Sequence, residues 1–341
     1  MRYSNAHVLE MPKINGCFQR FALGALRSTI TQILELLKQG GDAVPIAAVD
    51  LGGTKLAGAV FERDGRVLKR DTLPIAERTG TAVGDLISQL LENLTQDTPI
   101  DAIGVAVPGI YHTDRRTVWA PNIRGWDDYP LLEQLQRVAS VPIAIESDRT
   151  CYIIGEAWHG NARGARNAIF IAVGTGIGAG ILADGRVLRG QHDIAGAAGW
   201  LVLDGEYRAE YEPCGNFEFY AAGPGIARAA GTGDAQAAFE AFARGEPRAL
   251  VAVRRAVGYW GRAVANLVSL FNPEIIVFGG GVFGPAAAFI DDIYAEALRW
   301  AQPISIRQVR LCASGLGVDA GLYGAAAAAL HAASQPASVA V

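Results

Sequence analysis

The chain of 341 residues is too long for one ordinary compact core and fits two α/β lobes of about 150 residues each, with a cleft between them. Half of its residues are apolar and 19% are charged, which excludes a wholly disordered protein. The formal charge of −4 comes without a long basic run, so we expect a small-molecule protein that binds neither nucleic acid nor a membrane.

The cysteine pattern and the hydropathy of the chain bear on its compartment. Cys17, Cys151, Cys214 and Cys312 lie far apart and form no C-x-x-C pair, so they predict neither a disulfide framework nor a zinc knuckle. No apolar stretch reaches the roughly 18 to 20 residues of a membrane span, and the N-terminus lacks the pattern of a signal peptide. We therefore expect a cytoplasmic protein.

Residues 1–44 form an N-terminal extension in which the pattern predicts one amphipathic helix. Apolar residues recur at intervals of three and four, and Gly40-Gly41 ends the run: Leu23, Leu26, Ile30, Ile33 and Leu37. A transcriptional repressor would need a complete helix-turn-helix unit with a second, polar recognition helix. Too little chain precedes Val44 to hold one, so we do not expect DNA binding.

Two later segments, 46–68 and 169–190, resemble each other. Each reads as an apolar strand, a glycine-rich turn with a threonine, a second strand, and an Asp-Gly turn that leads into Arg-Val-Leu. The Asp-Gly turns are Asp64-Gly65 and Asp184-Gly185. The repetition indicates an internal duplication, with one copy in each lobe.

Strands and helices alternate between and after these copies. Apolar runs at 100–110 and 141–148 predict buried strands, with a helical pattern at 131–138 between them. This alternation indicates a largely parallel sheet with crossovers. A long helix is predicted over 248–271, where Asn272-Pro273 stops it, and a buried strand over 274–283.

The predicted boundaries place the N-terminal lobe at 45–158 and the C-terminal lobe at 159–318. A last helix, 319–334, is expected to fold back and complete the first lobe.

The segment DLGGTK (50–55) has the composition of a phosphate-binding hairpin. Gly52 and Gly53 let backbone N–H groups approach anionic oxygens, Thr54 and Lys55 add donors, and Asp50 can hold hydrated Mg²⁺. It is not a Walker loop, which needs the pattern G-x-x-x-x-G-K-[ST]. Taken alone, it is also compatible with a tight structural hairpin.

Two further glycine-rich turns make the phosphate interpretation more specific. VGTGIGAG (173–180) supplies a second cradle, with Gly174, Thr175, Gly176 and Gly178 as candidate phosphate contacts. Gly279, Gly280 and Gly281 follow a predicted buried strand, where a backbone can lie against the face of a nucleotide base. An ordinary strand-to-helix turn is the alternative for this third element.

The order of these elements from Ile46 to Gly324 resembles the ROK family (repressors, open reading frames and sugar kinases) of the actin and hexokinase superfamily. The resemblance implies an α/β, two-lobed actin-like ATPase fold, related to ribonuclease H, with the active site in the cleft. It also implies ATP and Mg²⁺ as cofactors, a sugar as substrate, and a homodimer.

The family's catalytic base is an aspartate in a Glu-Asn-Asp-Ala pattern, which reads Glu146-Ser147-Asp148-Arg149 here. The resemblance therefore assigns the base to Asp148, which orients the sugar hydroxyl and accepts its proton. A plain strand-end turn aspartate is the alternative. Ser147 stands where the family has a sugar-binding asparagine.

Two other positions match the sugar-binding elements of the family. APNIRGW (120–126) resembles the Pro-Asn-x-x-x-Trp loop, with Asn122 as the sugar ligand. Pro108-Gly109 resembles the turn whose backbone, at Gly109, approaches the sugar. A solvent-facing turn is the alternative for Asn122.

The chain departs from the kinases of the family after the second hairpin. In our comparison Trp200 takes the place of the sugar-binding glutamate and Leu203 that of the histidine that binds sugar and zinc. The zinc loop keeps Cys214-Gly215 and a counterpart of its glutamate, Glu218, but lacks two cysteines. Zinc needs about four N, S or O ligands, so we expect no structural zinc.

Three interpretations of these departures are open. In the first, the protein is an active kinase with a rebuilt sugar pocket, in which Trp200 stacks on the sugar and Glu218, Glu210 or Glu212 replaces the missing carboxylate. In the second, the protein is a non-catalytic sugar or nucleotide sensor. In the third, the nucleotide serves another reaction. A plain core position is the alternative for Trp200.

Overall fold

The computed structural model describes residues 44–334, so the helix predicted in the N-terminal extension lies outside the described residues. The chain forms two five-stranded sheets. The first part of the chain contributes seven strands: β1 (Ile46–Leu51), β2 (Lys55–Phe61), β3 (Val67–Pro74), β4 (Ile103–Val107), β5 (Ile110–His112), β6 (Thr117–Trp119) and β7 (Ile143–Ser147). Five of them form the first sheet in the order β3-β2-β1-β4-β7, while β5 and β6 pair separately as a hairpin.

The second sheet repeats the plan of the first. Its strands are β8 (Ala168–Val173), β9 (Ile177–Ala183), β10 (Arg186–Val187), β11 (Ile275–Gly279) and β12 (Arg310–Ala313), in the order β10-β9-β8-β11-β12. In each sheet the first three strands form an antiparallel meander and the last two add in parallel. The duplication predicted from the sequence is confirmed at the level of sheet topology.

Nine α-helices lie within the described residues. They are α1 (Thr81–Thr95), α2 (Leu131–Gln136), α3 (Asp148–Trp158), α4 (Asn216–Ala221), α5 (Gly223–Ala230), α6 (Ala235–Ala243), α7 (Pro247–Phe271), α8 (Ile290–Leu298) and α9 (Ala320–Ala333). The long helix α7 begins at Pro247 and ends where Asn272 adopts the left-handed conformation, as the Asn-Pro stop predicts. None of the described helices has both the length and the apolar composition that a bilayer crossing requires.

The helices α3 and α9 pack against each other and join the two sheets. Glycines allow this close approach, because a Cβ atom at Gly104, Gly155 or Gly324 would overlap backbone atoms of the neighbouring element. One buried apolar cluster contains Ile46 of β1 and Ala168 of β8 together with residues of both helices. The central strands of both sheets therefore pack against one pair of closely packed helices.

The predicted strands and long helices of the described residues are confirmed, as is the two-sheet α/β class. The last helix packs against β1, β4 and α3, as expected for a helix that completes the first half of the protein. The lobe boundaries at 45–158 and 159–318 stay a prediction, which the separation into two sheets supports.

Candidate active site

A cavity of about 380 Å³ opens between the two sheets at the ends of their central strands. Both halves of the chain contribute to it, through Asp50 near the end of β1 and through the glycine-rich turn at the end of β11. Its lining residues are Asp50, Tyr152, Phe170, Phe278, Gly279, Gly280, Gly281, Phe283, Gly284, Ala313, Ser314, Gly317 and Val318. The sequence-predicted Mg²⁺ carboxylate and base-binding turn thus line one cavity.

Asp50 is a largely buried carboxylate at this cavity. Burial first, and then the negative charge of Asp148, raise the pKa of Asp50 to about 7. A Cβ atom at Gly321 would lie 2.5 Å from Asp50 Oδ2, so glycine is needed for α9 to begin here. A buried carboxylate with a raised pKa is poised to take a cation, since a bound cation favours its ionised form.

The first glycine-rich hairpin joins β1 to β2. The Gly52 N–H donates to the Lys55 carbonyl over 3.0 Å, and the Thr54 carbonyl accepts from Ile75. Gly53, Thr54 and Lys55 are exposed. The hairpin presents its backbone and the Lys55 ammonium to solvent next to Asp50.

The second hairpin, between β8 and β9, abuts the glycine turn that follows β11. The Gly174 N–H donates to Gly176 over 2.9 Å, and an added Cβ at Gly174 would lie 4.0 Å from Gly281 N. Gly280 has a φ of +86°, and a Cβ there would overlap the Val173 carbonyl. The two turns therefore lie against each other, and glycine is required at Gly280.

Asp148 begins α3 directly after β7 and is largely buried. Its Oδ1 accepts the Arg149 N–H over 2.6 Å, and its Oδ2 lies 3.5 Å from the Tyr152 hydroxyl. Burial raises the pKa of Asp148, while the Arg149 backbone donor and guanidinium oppose that rise. Such a carboxylate has a raised affinity for a proton. Its Oδ2 makes only the long contact with the Tyr152 hydroxyl and can accept a hydrogen bond from a ligand.

Ser147 and Gly109 lie beside Asp148. The Ser147 hydroxyl donates to the Gly109 carbonyl over 2.7 Å, and a Cβ at Gly109 would overlap the backbone of Trp119 and Ala120. Asn122, two residues beyond Ala120, is exposed and makes no side-chain hydrogen bond among residues 44–334. The loop that carries Asn122 thus packs against the Gly109 turn beside Asp148, and the Asn122 amide is exposed.

Glu218 lies in the first turn of α4, against the second hairpin. Its Oε2 accepts the Ile177 N–H over 2.6 Å, and a Cβ at Gly176 would lie 2.8 Å from the same oxygen. Burial raises the pKa of Glu218, and the Ile177 bond opposes that rise. Glu210 and Glu212 are exposed, and Glu212 accepts from the Tyr207 hydroxyl instead.

Trp200 is 57% exposed, so its interpretation as a core residue is wrong. It lines a second cavity of about 320 Å³, which contains neither Asp148 nor Asn122 nor Glu218: Trp200, Val202, Asp204, Glu206, Tyr207, Tyr211, Glu212, Gly215 and Asn216. The stacking of Trp200 on a sugar stays a prediction.

Contacts across the cleft were missed in the sequence. Arg189, after β10, forms a two-bonded ion pair with Glu146 of β7, in which one bond is 2.6 Å long. The Thr113 N–H donates to Asp193 Oδ2 over 3.0 Å. The sequence holds no local signal for these pairs, which lie 43 and 80 residues apart.

Between residues 44 and 334, no group of three or more His, Cys, Asp and Glu side chains is arranged to hold a metal ion. Cys214 lies near Glu218 and Arg228, and burial raises the pKa of its thiol. The expectation of no structural zinc stays a prediction.

Comparison with known proteins adds to this geometry. The profile described as "ROK family" matches residues 46–332. A glucokinase of Halalkalibacterium halodurans is 30% identical over 307 residues, which are 81% of this chain and 92% of that protein. An N-acetylmannosamine kinase of Citrobacter koseri is 31% identical over 288 residues, or 82% of this chain and 96% of the kinase.

A solved structure gives the same relation. A ROK family glucokinase from Streptomyces griseus, in complex with glucose and AMPPNP, aligns with a TM-score of 0.70 at 28% identity. The alignment covers 84% of this chain and 99% of the glucokinase.

Proposed function

The chain belongs to the ROK family, and we propose that it is an ATP-dependent sugar kinase that phosphorylates a hydroxyl of a hexose or hexose derivative. The observation that carries this proposal is the meeting of three elements at one cleft. The cavity holds Asp50 and the turn Gly279–Gly281, and Asp148 lies at its edge, 3.5 Å from the Tyr152 hydroxyl that lines it. A nucleotide site beside a buried carboxylate suits phosphoryl transfer to an alcohol.

Asp148 is the proposed base. Its Oδ2 can accept the proton of the attacking hydroxyl, because the short backbone bond from Arg149 falls on Oδ1 and Oδ2 has only the long contact of 3.5 Å with the Tyr152 hydroxyl. The pKa raised by burial increases its affinity for that proton. A positioned base of this kind contributes about 10²- to 10⁴-fold to the rate.

The nucleotide is expected to bind as its Mg²⁺ complex. Mg²⁺ is commonly held by one or two carboxylates together with substrate phosphates and waters, and Asp50 fits that role as a buried carboxylate at the cavity wall. The cation would neutralise charge that develops on the phosphoryl group. The backbone N–H groups of the two hairpins, with Lys55, would contact the phosphate oxygens.

The sugar is expected at the edge of the cleft beside Asp148. Gly109, whose carbonyl accepts from Ser147 next to Asp148, and Asn122 are the proposed contacts from the first half of the chain, and Glu218, bound to the second hairpin, is the proposed contact from the second half. Amide and carboxylate groups suit vicinal hydroxyls, which both donate and accept. The named relatives include kinases of glucose and of N-acetylmannosamine, so both sugars belong to the proposed substrate class.

The test is ADP release from Mg-ATP across a panel of hexoses, amino sugars and N-acetyl sugars, with purified protein. At least one sugar should raise ADP formation well above the sugar-free rate. ATP binding without sugar-dependent turnover for any member would contradict the kinase proposal and favour the sensor. We also propose a homodimer, which sedimentation analysis would test.

A further inference from the structure

Tyr152 stands one helical turn after Asp148, on the face of α3 that lines the nucleotide cavity. Its ring packs against Phe170 of β8, with 5.1 Å between ring centroids. The side chain is largely buried. Since no motif of the sequence singled it out, its role must be argued from this position alone.

The hydroxyl group of Tyr152 makes only one long hydrogen bond within the described residues. Its only hydrogen-bond partner among the described residues is Asp148 Oδ2, at 3.5 Å, which is long for a bond between two oxygens. Burial and the charges of Asp148 and Asp50 raise the pKa of the phenol well above its ordinary value. The group therefore keeps its proton, and it can donate a hydrogen bond to a closer acceptor in the cavity in place of Asp148 Oδ2.

The position of the hydroxyl identifies that acceptor. It lies in the wall shared with Asp50, where the phosphates and their cation are expected, and next to the proposed base. A phosphoryl group that passes from ATP to a sugar hydroxyl held at Asp148 must therefore pass the Tyr152 hydroxyl. Its oxygens carry charge during transfer, and a neutral donor in a dry site stabilises such charge.

We propose that Tyr152 is a second catalytic side chain, whose hydroxyl donates a hydrogen bond to the terminal phosphoryl group of ATP. The inference rests on the proposed kinase function. In the step, the sugar oxygen forms a bond to the terminal phosphorus as the bond from that phosphorus to the oxygen of ADP breaks. The sugar proton passes to Asp148, and Tyr152 retains its own proton throughout.

The opposing view is that Tyr152 serves only to fill space against Phe170. Tyr152→Phe separates the two, because it keeps the ring and removes only the hydroxyl. Tyr294→Phe is the matched control, since that hydroxyl also makes one hydrogen bond, to the Ile306 carbonyl at 3.1 Å, in the second half of the chain.

The first readout needs no sugar. Calorimetric titration with ATP and with ADP should show that Tyr152→Phe weakens ATP binding about 10- to 100-fold and leaves ADP binding within about twofold, as the loss of one donor to a charged group predicts. In the second readout, with the best sugar, kcat should fall about 10- to 100-fold while the sugar KM stays within about twofold. The melting temperature of Tyr152→Phe should match that of the wild type. The nucleotide affinities and kcat of the control, Tyr294→Phe, should also match the wild type.

An unchanged ratio of ATP to ADP affinity would overturn the proposal, whatever the sugar panel gives. An unchanged kcat of Tyr152→Phe in an active enzyme would also overturn it. Equal losses of affinity for ATP and ADP together with a lower melting temperature would indicate a packing role and overturn it as well. The kinase proposal fails separately, if no sugar supports turnover by the wild type. The nucleotide titrations then still decide the contact of Tyr152 with the terminal phosphate.

Discussion

Replacing Asp50 by asparagine tests the electrostatics of the nucleotide cavity without any substrate. The change removes the charge of a largely buried carboxylate and keeps its shape, so the cleft should stay folded. The relevant comparison is the free energy of unfolding of wild type and Asp50→Asn as a function of pH. The measurement is made with a chelator present, so that no divalent cation occupies the site.

The magnitude follows from the pKa of Asp50, which burial and Asp148 raise from 3.8 to about 7. Because the folded state holds its proton more tightly than the unfolded state, the wild type loses stability as pH rises from about 4 to about 7. The total loss is on the order of 4 kcal/mol, and more than half of it falls between pH 5 and pH 8. The Asp50→Asn variant has no carboxylate to ionise at this position. Its free energy of unfolding relative to the wild type should therefore rise by that amount between pH 5 and pH 8.

Urea denaturation would give the free energy of unfolding of both proteins at pH 5 and at pH 8. The difference between variant and wild type at pH 8, minus the same difference at pH 5, measures the gain, and the contributions of the other titrating groups cancel. Gln308→Ala, an exposed neutral substitution, controls for buffer effects and should show no change in the difference. A pH-dependent gain below about 1 kcal/mol for Asp50→Asn would refute the burial of this charge. Mg-ATP should stabilise the wild type far more than the variant.

Four further predictions concern the site. Asp148→Asn should keep ATP affinity but lower sugar-dependent ADP formation at least about 10²-fold; unchanged turnover would remove Asp148 from the mechanism. Gly176→Val should weaken ATP binding at least about tenfold, because a Cβ there would lie 2.8 Å from Glu218 Oε2, whereas Gly233→Ala, in open space, should not change ATP affinity. Metal analysis of tag-free protein should find well under one equivalent of zinc, and a stoichiometric amount would show that our comparison of 196–218 with the family is in error. Asn122→Ala and Glu218→Gln should each raise the KM of the same sugar about 5- to 100-fold, and an effect of Asn122→Ala alone would move the second carboxylate to Glu210 or Glu212.

The sequence predicted those parts of the structure that depend on local patterns. Apolar runs bounded by glycine gave the central strands, and the repeated strand-turn-strand pattern predicted two sheets of the same topology. Asp50 was found because it opens a glycine-rich hairpin segment, and Asp148 because it matches the aspartate of the family's Glu-Asn-Asp-Ala pattern. Gly280 was found because it stands in a run of three glycines after a predicted buried strand, and the structure gives it a positive φ.

Other features depend on packing between distant segments and left no such pattern. The exposure of Trp200 depends on the path of residues 201–215, and its residue type alone fits a core equally well. Glu218 reaches the second hairpin only because α4 starts at Asn216. Tyr152 meets Asp148 because α3 begins at Asp148, which places residues four apart on one face. Sequence spacing could have suggested this last contact, had the start of the helix been fixed.

The helix α3 connects the two ends of the proposed reaction. Asp148 stands at its start beside the Gly109 turn, Tyr152 lines the cavity one turn later, and Glu156, fully buried, lies near its end. Glu156 accepts the backbone N–H groups of Gly315 and Leu316 over 3.3 and 3.2 Å, and also bonds the Ser314 hydroxyl. Ser314 lines the nucleotide cavity, so one rigid element fixes both the base and the wall of the nucleotide site. A shift of α3 is therefore expected to disturb the proposed sugar and nucleotide sites together, and the glycines at its contacts with α9 and β9 leave little room for such a shift.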